Sequence, residues 1–279
     1  IKDKQIKSIF FGGGTPSLMS PEVVAAIIDK IASLGQVLDV TEITIEANPT
    51  SSESSKFAGF KAAGINRLSI GVQSFNADDL KFLGRQHSAD EAIKAIDLAA
   101  KYFANYSFDL IYARPEQSLK QWQKELELAI SLASKHISLY QLTIEKGTPF
   151  YSMYHKKAFT LPGHEQAFAM YELTNELLEK NGYLRYEISN YAKPGFHSIH
   201  NLNYWQYGQY LGIGPGAHSR LISSNAIMQA VELIYSPQSW LESVNNNSHG
   251  IRSLTSLTKQ EVAKEILMMG LRLVSGIDN

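Results

Sequence analysis

The stretch RLSIGVQS (67–74) decides the fold class. Read with the two-residue period of a strand, it puts Leu68, Ile70 and Val72 on one face and Ser69, Gly71 and Gln73 on the other. The same alternation recurs on either side of it. In ITIEANP (43–49), Ile43 and Ile45 oppose Thr44, Glu46 and Asn48, and in FDLIY (108–112), Asp109 shares its face with Ile111. Strands buried on both sides of a doubly wound sheet read as continuous apolar runs. One apolar face for packing helices, and one small polar face, suit a (β/α) barrel whose lumen holds a polar ligand. The plainer alternative is that polar residues are scattered at strand ends.

Working outward, strands are expected at 7–11, 43–47, 67–73, 108–112 and 136–143. Helix start signals lie between them. Ser20-Pro21 suits N-cap and N1, and Ser88-x-x-Glu91 and Ser118-x-x-Gln121 are capping boxes. Strand and helix alternating at this spacing imply parallel βαβ units. After about residue 145 the pattern changes. A long amphipathic helix is expected from Gly163 to Asn181, followed by YEISNYA (186–192) and YLGIGPGAHS (210–219) as β or loop segments closing over something. From Ile227 the chain is expected to turn helical, with Thr258-x-x-Glu261 capping a last helix and NNNSHG (245–250) forming a surface loop. The expected organisation is an α/β barrel over 1–150, a barrel-closing helix and β/loop extension over 151–222, and a smaller, mostly helical C-terminal domain over 223–279.

Composition narrows the function classes. The 279 residues are 44% hydrophobic and 19% charged, with formal net charge -1, which describes a globular protein with a substantial core. The near-neutral balance and the lack of a basic run argue against a nucleic-acid surface. No apolar run approaches the roughly 20 residues of a membrane-spanning helix, and no signal peptide is visible, so the reading is cytoplasmic. There is no cysteine, hence no disulfide framework and no thiolate metal ligand in this chain. The sequence opens on Ile1 and enters a strand-like run almost at once, which reads as a fragment.

The run FFGGGTPSLM (10–19) is the strongest local signal. A P-loop requires Lys and Ser/Thr after its glycines, and a dinucleotide fingerprint opens straight into a helix; Thr15-Pro16 fits neither. A tight βα turn needs one glycine with positive φ. Gly12, Gly13 and Gly14 together with Thr15 suggest backbone amides and carbonyls presented to a ligand at the strand's C-terminal end, where (β/α) barrels place their active sites.

Taken in order, FFGGGTPSLM, IEANP, GINRLSIGVQSF, LGRQH, FDLIYARP, YEISNYA, HNLNYW and GIGPGAHS resemble the HemN/HemW branch of radical SAM proteins over residues 6–278. That branch comprises oxygen-independent coproporphyrinogen III dehydrogenases and HemW-type heme chaperones. The resemblance implies a partial (β/α)6 barrel that binds S-adenosylmethionine beside a [4Fe-4S] cluster. By similarity, Gly12, Gly13 and their neighbours meet the methionine amino group, and Glu46 approaches the same ligand. The positions matching a second S-adenosylmethionine of the dehydrogenase are Gly14, Thr15, Gln73, Arg85 and Asp109. The chemistry is sensible: an ammonium wants carbonyls and a carboxylate, a carboxylate wants a guanidinium, and ribose hydroxyls want an acceptor such as Asp109. Without the resemblance, Arg85 reads equally as a helix-end charge and Glu46 as half of a buried ion pair.

Two features depart from the branch. Its cluster is held by a Cys-x-x-x-Cys-x-x-Cys loop after the first barrel strand, and this chain has neither. The resemblance places that segment upstream of Ile1, so these residues alone are expected to be inactive in reductive cleavage. The branch also has Gly-Leu-Pro-Gly where this chain has Ala113-Arg114-Pro115-Glu116, and the C-terminal domain is expected to stop short.

HNLNYW supplies His200, Asn201, Tyr204 and Trp205 in a pattern similar to the HemW side. A histidine beside Tyr and Trp suits an axial heme ligand with aromatic walls; the alternative is an interior histidine among core rings. His197 makes a His-x-x-His pair with His200, a further metal reading, and His218 is ambiguous. The resemblance thus implies a heme chaperone that delivers heme to membrane hemoproteins. The alternatives are oxidative decarboxylation of coproporphyrinogen III to protoporphyrinogen IX through a 5′-deoxyadenosyl radical, or another S-adenosylmethionine-dependent radical enzyme.

Overall fold

The computed structural model describes residues 4–277, which divide into two compact units at His197/Ser198. In the first unit, β1 (Gln5–Phe11) leads through a short 3-10 turn (Pro16–Leu18) into α1 (Pro21–Leu34) and β2 (Gln36–Ala47). Short helices α2 (Ser51–Ser54) and α3 (Phe57–Ala62) precede β3 (Arg67–Gln73), and α4 (Ala77–Phe82) and α5 (Ala89–Tyr102) precede β4 (Asn105–Tyr112). Then come α6 (Leu119–Leu132), β5 (His136–Gln141), α7 (Pro149–His155), α8 (His164–Lys180), β6 (Leu184–Arg185) and β7 (Asn190–Ala192). The expected strands are all present; β3 has the expected bounds, and β2 starts seven residues earlier than read.

Local chemistry explains the helix starts. Ser88 and Ser118 each accept from the backbone N–H three residues on, while Glu91 and Gln121 reach back to the capping residue's own N–H. Each such cap is worth about 1 kcal/mol. Ser20 caps α1 with Pro21 at N1. Trp122 of α6 is fully buried, stacks on Tyr112 of β4 at 5.2 Å, and donates to Thr174 of α8 at 2.8 Å. One side chain therefore ties strand, covering helix and the long helix α8 together.

The seven-stranded sheet runs β1-β2-β3-β4-β5-β7-β6, with β1 to β5 parallel and β7 antiparallel to both β5 and β6. A doubly wound sheet reverses its strand order at a switch point. Here the five parallel strands follow chain order without reversal, which is the winding of a (β/α) barrel, and the sheet is a curled partial barrel. The alternation read from sequence is the one observed. Leu68, Ile70 and Val72 are fully buried in the core with Ile45, Phe108 and Leu110, whereas Ser69, Gly71 and Gln73 are partly open. Register carries that second face across the sheet, pairing Glu46 with Ser69, Ser69 with Ser107, and Asp109 with Ser138.

The second unit contains α9 (Ile199–Trp205), β8 (His218–Ile222), β9 (Met228–Leu233), α10 (Pro237–Asn247), β10 (Ile251–Ser256) and α11 (Lys259–Gly270). Its antiparallel sheet has β9 between β10 and β8. This corrects the expectation of helix from Ile227. Ile227, Val231 and Ile234 do fall at helical spacing, but Val231 pairs with Ser219 on one side and Leu254 on the other. Two flanking strands satisfy its backbone, and that long-range pairing overrides the local period. The surface loop expected over 245–250 is shorter than read: α10 continues to Asn247, and Ser248 ends it with φ 62.

Candidate functional site

The glycine run leaves β1 at the C-terminal end of the sheet, where the loops after β2 and β3 also emerge. Gly12 has no room for a side chain: a Cβ there would come within 2.6 Å of the Phe10 ring and 3.2 Å of Glu46 Oε2. Gly13 has φ 79, a conformation open to glycine at little cost, and its N–H donates to Glu46 Oε2 at 3.2 Å. The two glycines therefore meet different demands, close approach and left-handed backbone.

The loop after β2 locks this segment in place. Glu53 of α2 accepts from Ser17 Oγ, from Asn48 N at 3.0 Å, from Asn48 Nδ2 at 3.2 Å and from Thr50 Oγ1 at 3.3 Å. Lys56 Nζ donates to the carbonyls of Ser17 and Leu18, both at 3.0 Å. Asn48 Oδ1, oriented by Glu53, accepts from Arg85 Nη2 at 2.8 Å, and the same nitrogen donates to Gly71 O at 3.1 Å. Arg85 thus enters from the α4–α5 loop and lies across the end of β3. His87 ties the same loop to β3, its Nε2 lying 2.9 Å from Val72 O.

Gly14, Thr15, Glu46, Gln73, Arg85 and Asp109 line one cavity of about 190 Å³, together with Ser17, Asn48, Ser69 and Gly71. Gly12 and Gly13 border it through Glu46. All eight residues singled out in sequence, those expected around a first S-adenosylmethionine and those matching a second, are therefore brought together. Sequence reasoning missed Ser17, Glu53 and Lys56; a carboxylate five residues beyond Asn48 in a Ser-rich turn was the only available signal.

The electrostatics of the cavity are unbalanced. Burial pushes the Glu46 carboxyl up, only partly offset by the Gly13 N–H. Burial, with a smaller contribution from the Glu46 charge, pushes Asp109 up to about 7 against the opposing hydrogen bond from Ser138. Arg85 is pushed down by desolvation, with Asp109 and Glu53 resisting. Two acids and a guanidinium held at partial desolvation on a narrow polar wall favour a ligand carrying both signs of charge. Gln73 adds a backbone outlier, φ 68 at a non-glycine residue, of the kind that collects at binding sites.

The departures noted at 113–116 have a geometric counterpart. Ala113 (φ 55) and Glu116 (φ 57) occupy left-handed conformations, and Arg114 between them is buried against Glu125 and Asp79. Arg114, Glu116, Glu125 and Asp79 border a second cavity of about 810 Å³.

In the second unit, His200 meets Tyr204 edge-on at 5.0 Å, and Tyr204 meets Tyr210 at 4.5 Å. Arg272 lies 4.3 Å over the Trp205 ring. None of His200, Tyr204 or Trp205 lines either cavity described above. His197 belongs to the first unit, stacked on Tyr186 at 4.6 Å, and His218 opens β8. Among the described residues, no group of three or more His, Cys, Asp or Glu is arranged to hold a metal ion, and no helix is long and apolar enough to cross a membrane.

Comparison with known proteins places this geometry. The radical SAM superfamily model matches residues 1–129. A Bos taurus protein, "Radical S-adenosyl methionine domain-containing protein 1, mitochondrial", is 41% identical over 98% of this chain and 63% of its own length. "Heme chaperone HemW" of Bacillus subtilis is 35% identical over 98% of this chain and 71% of its own. The chain thus spans about 63% of the length of the mitochondrial relative. Among solved structures, the Escherichia coli coproporphyrinogen III oxidase HemN, a radical SAM enzyme, superposes with TM-score 0.78 at 19% identity, over 97% of this chain and 64% of that one. At that identity the match supports the fold alone. The partial barrel, the ordered motifs and relatives at this identity agree: the chain belongs to the HemN/HemW branch of the radical SAM superfamily.

Proposed function

We propose that the chain is the S-adenosylmethionine-binding partial barrel, with its attached second unit, of a HemW-type heme chaperone. The observation that carries the ligand is the convergence of Gly14, Thr15, Glu46, Gln73, Arg85 and Asp109 on one small cavity. S-adenosylmethionine fits its imbalance. The sulfonium and ammonium answer the raised carboxyls of Glu46 and Asp109, and the carboxylate answers Arg85. Ser69 and Gln73 offer polar groups to a ribose edge. When bound, this cofactor supplies the 5′-deoxyadenosyl group of radical SAM chemistry. The [4Fe-4S] cluster of the branch does not fit the residues present, because the chain has no cysteine to ligate it.

For heme, the support is the HNLNYW pattern and the name of relatives near 40% identity. The relatives named heme chaperone are about twice as similar in sequence as HemN, which favours the chaperone over the dehydrogenase.

Equilibrium binding of S-adenosylmethionine to the intact, anaerobically reconstituted protein tests the site. Glu46→Ala and Arg85→Ala should each weaken binding by about tenfold or more. Unchanged affinity in both variants would refute the placement.

A further inference from the structure

Resting on the S-adenosylmethionine reading, a second observation concerns what holds that site's geometry. Behind the cavity lies a buried ion pair that none of the ligand contacts uses. Arg114 is 1% exposed, bonds Glu125 of α6 through both terminal nitrogens, and reaches Asp79 of α4 at 3.0 Å. Glu125 in turn accepts from Ser74 Oγ at 2.6 Å, from Phe75 N at 2.8 Å and from Gln117 Nε2 at 3.4 Å. A buried ion pair is weak as a source of stability, because an apolar pair of similar volume does as well. Its connections supply another role.

Ser74 and Phe75 directly follow Gln73. With φ 68 at Gln73 and Ser74 N donating to Val72 O at 2.9 Å, the end of β3 is a γ-turn of the rarer, strained hand. Glu125 grips the two residues that leave this turn. From its other side the pair reaches α4 through Asp79, and Leu80 O of that helix accepts the Arg85 N–H at 2.9 Å. Neither Arg114 nor Glu125 lines the ligand cavity, but Glu125 bonds the residue next to Gln73, and Arg114 reaches Arg85 through Asp79 and Leu80 of α4.

We infer that Glu125 and Arg114 are positioning residues for the ligand site. Glu125 holds Gln73 in its left-handed turn through Ser74 and Phe75, and Arg114 holds Arg85 in place through α4. The acceptor oxygen of Glu125 matters more to Gln73 than its charge does. A strained turn with no such grip relaxes, and Gln73 then leaves the cavity wall.

Two double variants of the intact protein separate this from a packing role. In Arg114→Leu with Glu125→Gln, the amide oxygen still accepts from Ser74 and Phe75. In Arg114→Leu with Glu125→Leu, nothing does. The first is expected to weaken S-adenosylmethionine binding about threefold, through the lost α4 arm, and the second about tenfold or more. Amide hydrogen exchange at Ser74 and Phe75 should stay slow in the first and become fast in the second. Ser74→Ala, which leaves the ion pair whole, is the milder check and should speed exchange at Phe75. Equal affinity and equal exchange in the two doubles overturn the inference. Wild-type protein that fails to bind S-adenosylmethionine overturns the site reading instead, and the exchange rates still decide the brace.

Discussion

The two motifs that suggest function, Gly12–Thr15 in the first unit and His200–Trp205 in the second, are built in opposite ways. Around the glycine run the charged groups are left wanting. Glu46 and Asp109 are pushed up by burial and Arg85 is pushed down, while Asn48, itself held by Glu53, fixes Arg85 from behind. Around α9 the groups answer one another. Tyr204 packs between His200 and Tyr210, Trp205 lies under Arg272, and Tyr207 and Arg220 share the Glu265 carboxylate. A ligand site is recognised by rigid residues with unmet electrostatic demand. By that measure the first motif argues from geometry and the second from its residue pattern.

The largest expected effect tests the weaker side of this contrast. In a heme titration of the intact protein, wild type should give a Soret shift that His200→Ala abolishes, while S-adenosylmethionine binding stays unchanged. A retained Soret shift would make His200 a packing partner of Tyr204 and remove heme ligation from α9.

How much of this was legible follows the same division. The barrel could be read because strand alternation is a local property: Leu68, Ile70 and Val72 need only the core beneath them to reveal their face. Part of the cavity wall could be read the same way, since Glu46, Ser69, Gly71 and Gln73 fall on the polar strand faces, but Gly14, Thr15 and Arg85 lie in loops and came only from the resemblance of the ordered motifs. What escaped was non-local. Glu53 became visible only when α2 folded back on Ser17, and the Glu125–Arg114 pair only when α6 packed under the loop after β3. Strand β9 was misread for the same reason, since its partners β8 and β10 are separate segments whose pairing no local period records.

The next effect tests the braced region. Glu53→Ala leaves the Ser17 hydroxyl and the Asn48 amides without their acceptor in a buried loop. The expected loss is about 3 kcal/mol of stability, read by chemical denaturation. Arg85 loses its oriented Asn48 partner at the same time, so S-adenosylmethionine should bind about a hundredfold more weakly, with heme titration unaffected. A variant that loses stability but binds normally would show that Asn48 orients itself.

The smallest effect is a pH dependence whose two readouts run in opposite directions. Burial raises the Asp109 carboxyl from its ordinary value of 3.8 to about 7 in the folded chain. Between those values the native state holds a proton that the unfolded state has released, so stability falls as pH rises through about 4 to 7 and then levels off. Glu46, raised by the same cause, adds to the same trend. A cationic ligand requires the ionised carboxylates, so its affinity should instead rise, by about tenfold between pH 6 and pH 8 for a single group titrating near 7. Asp109→Asn removes the titration and should flatten both curves, leaving the free protein more stable than wild type at pH 8 but its ligand more weakly held. If affinity in Asp109→Asn keeps the wild-type pH slope, the titrating group is another residue, and Glu46, which accepts from the Gly13 N–H and is raised by burial, is the one to replace next.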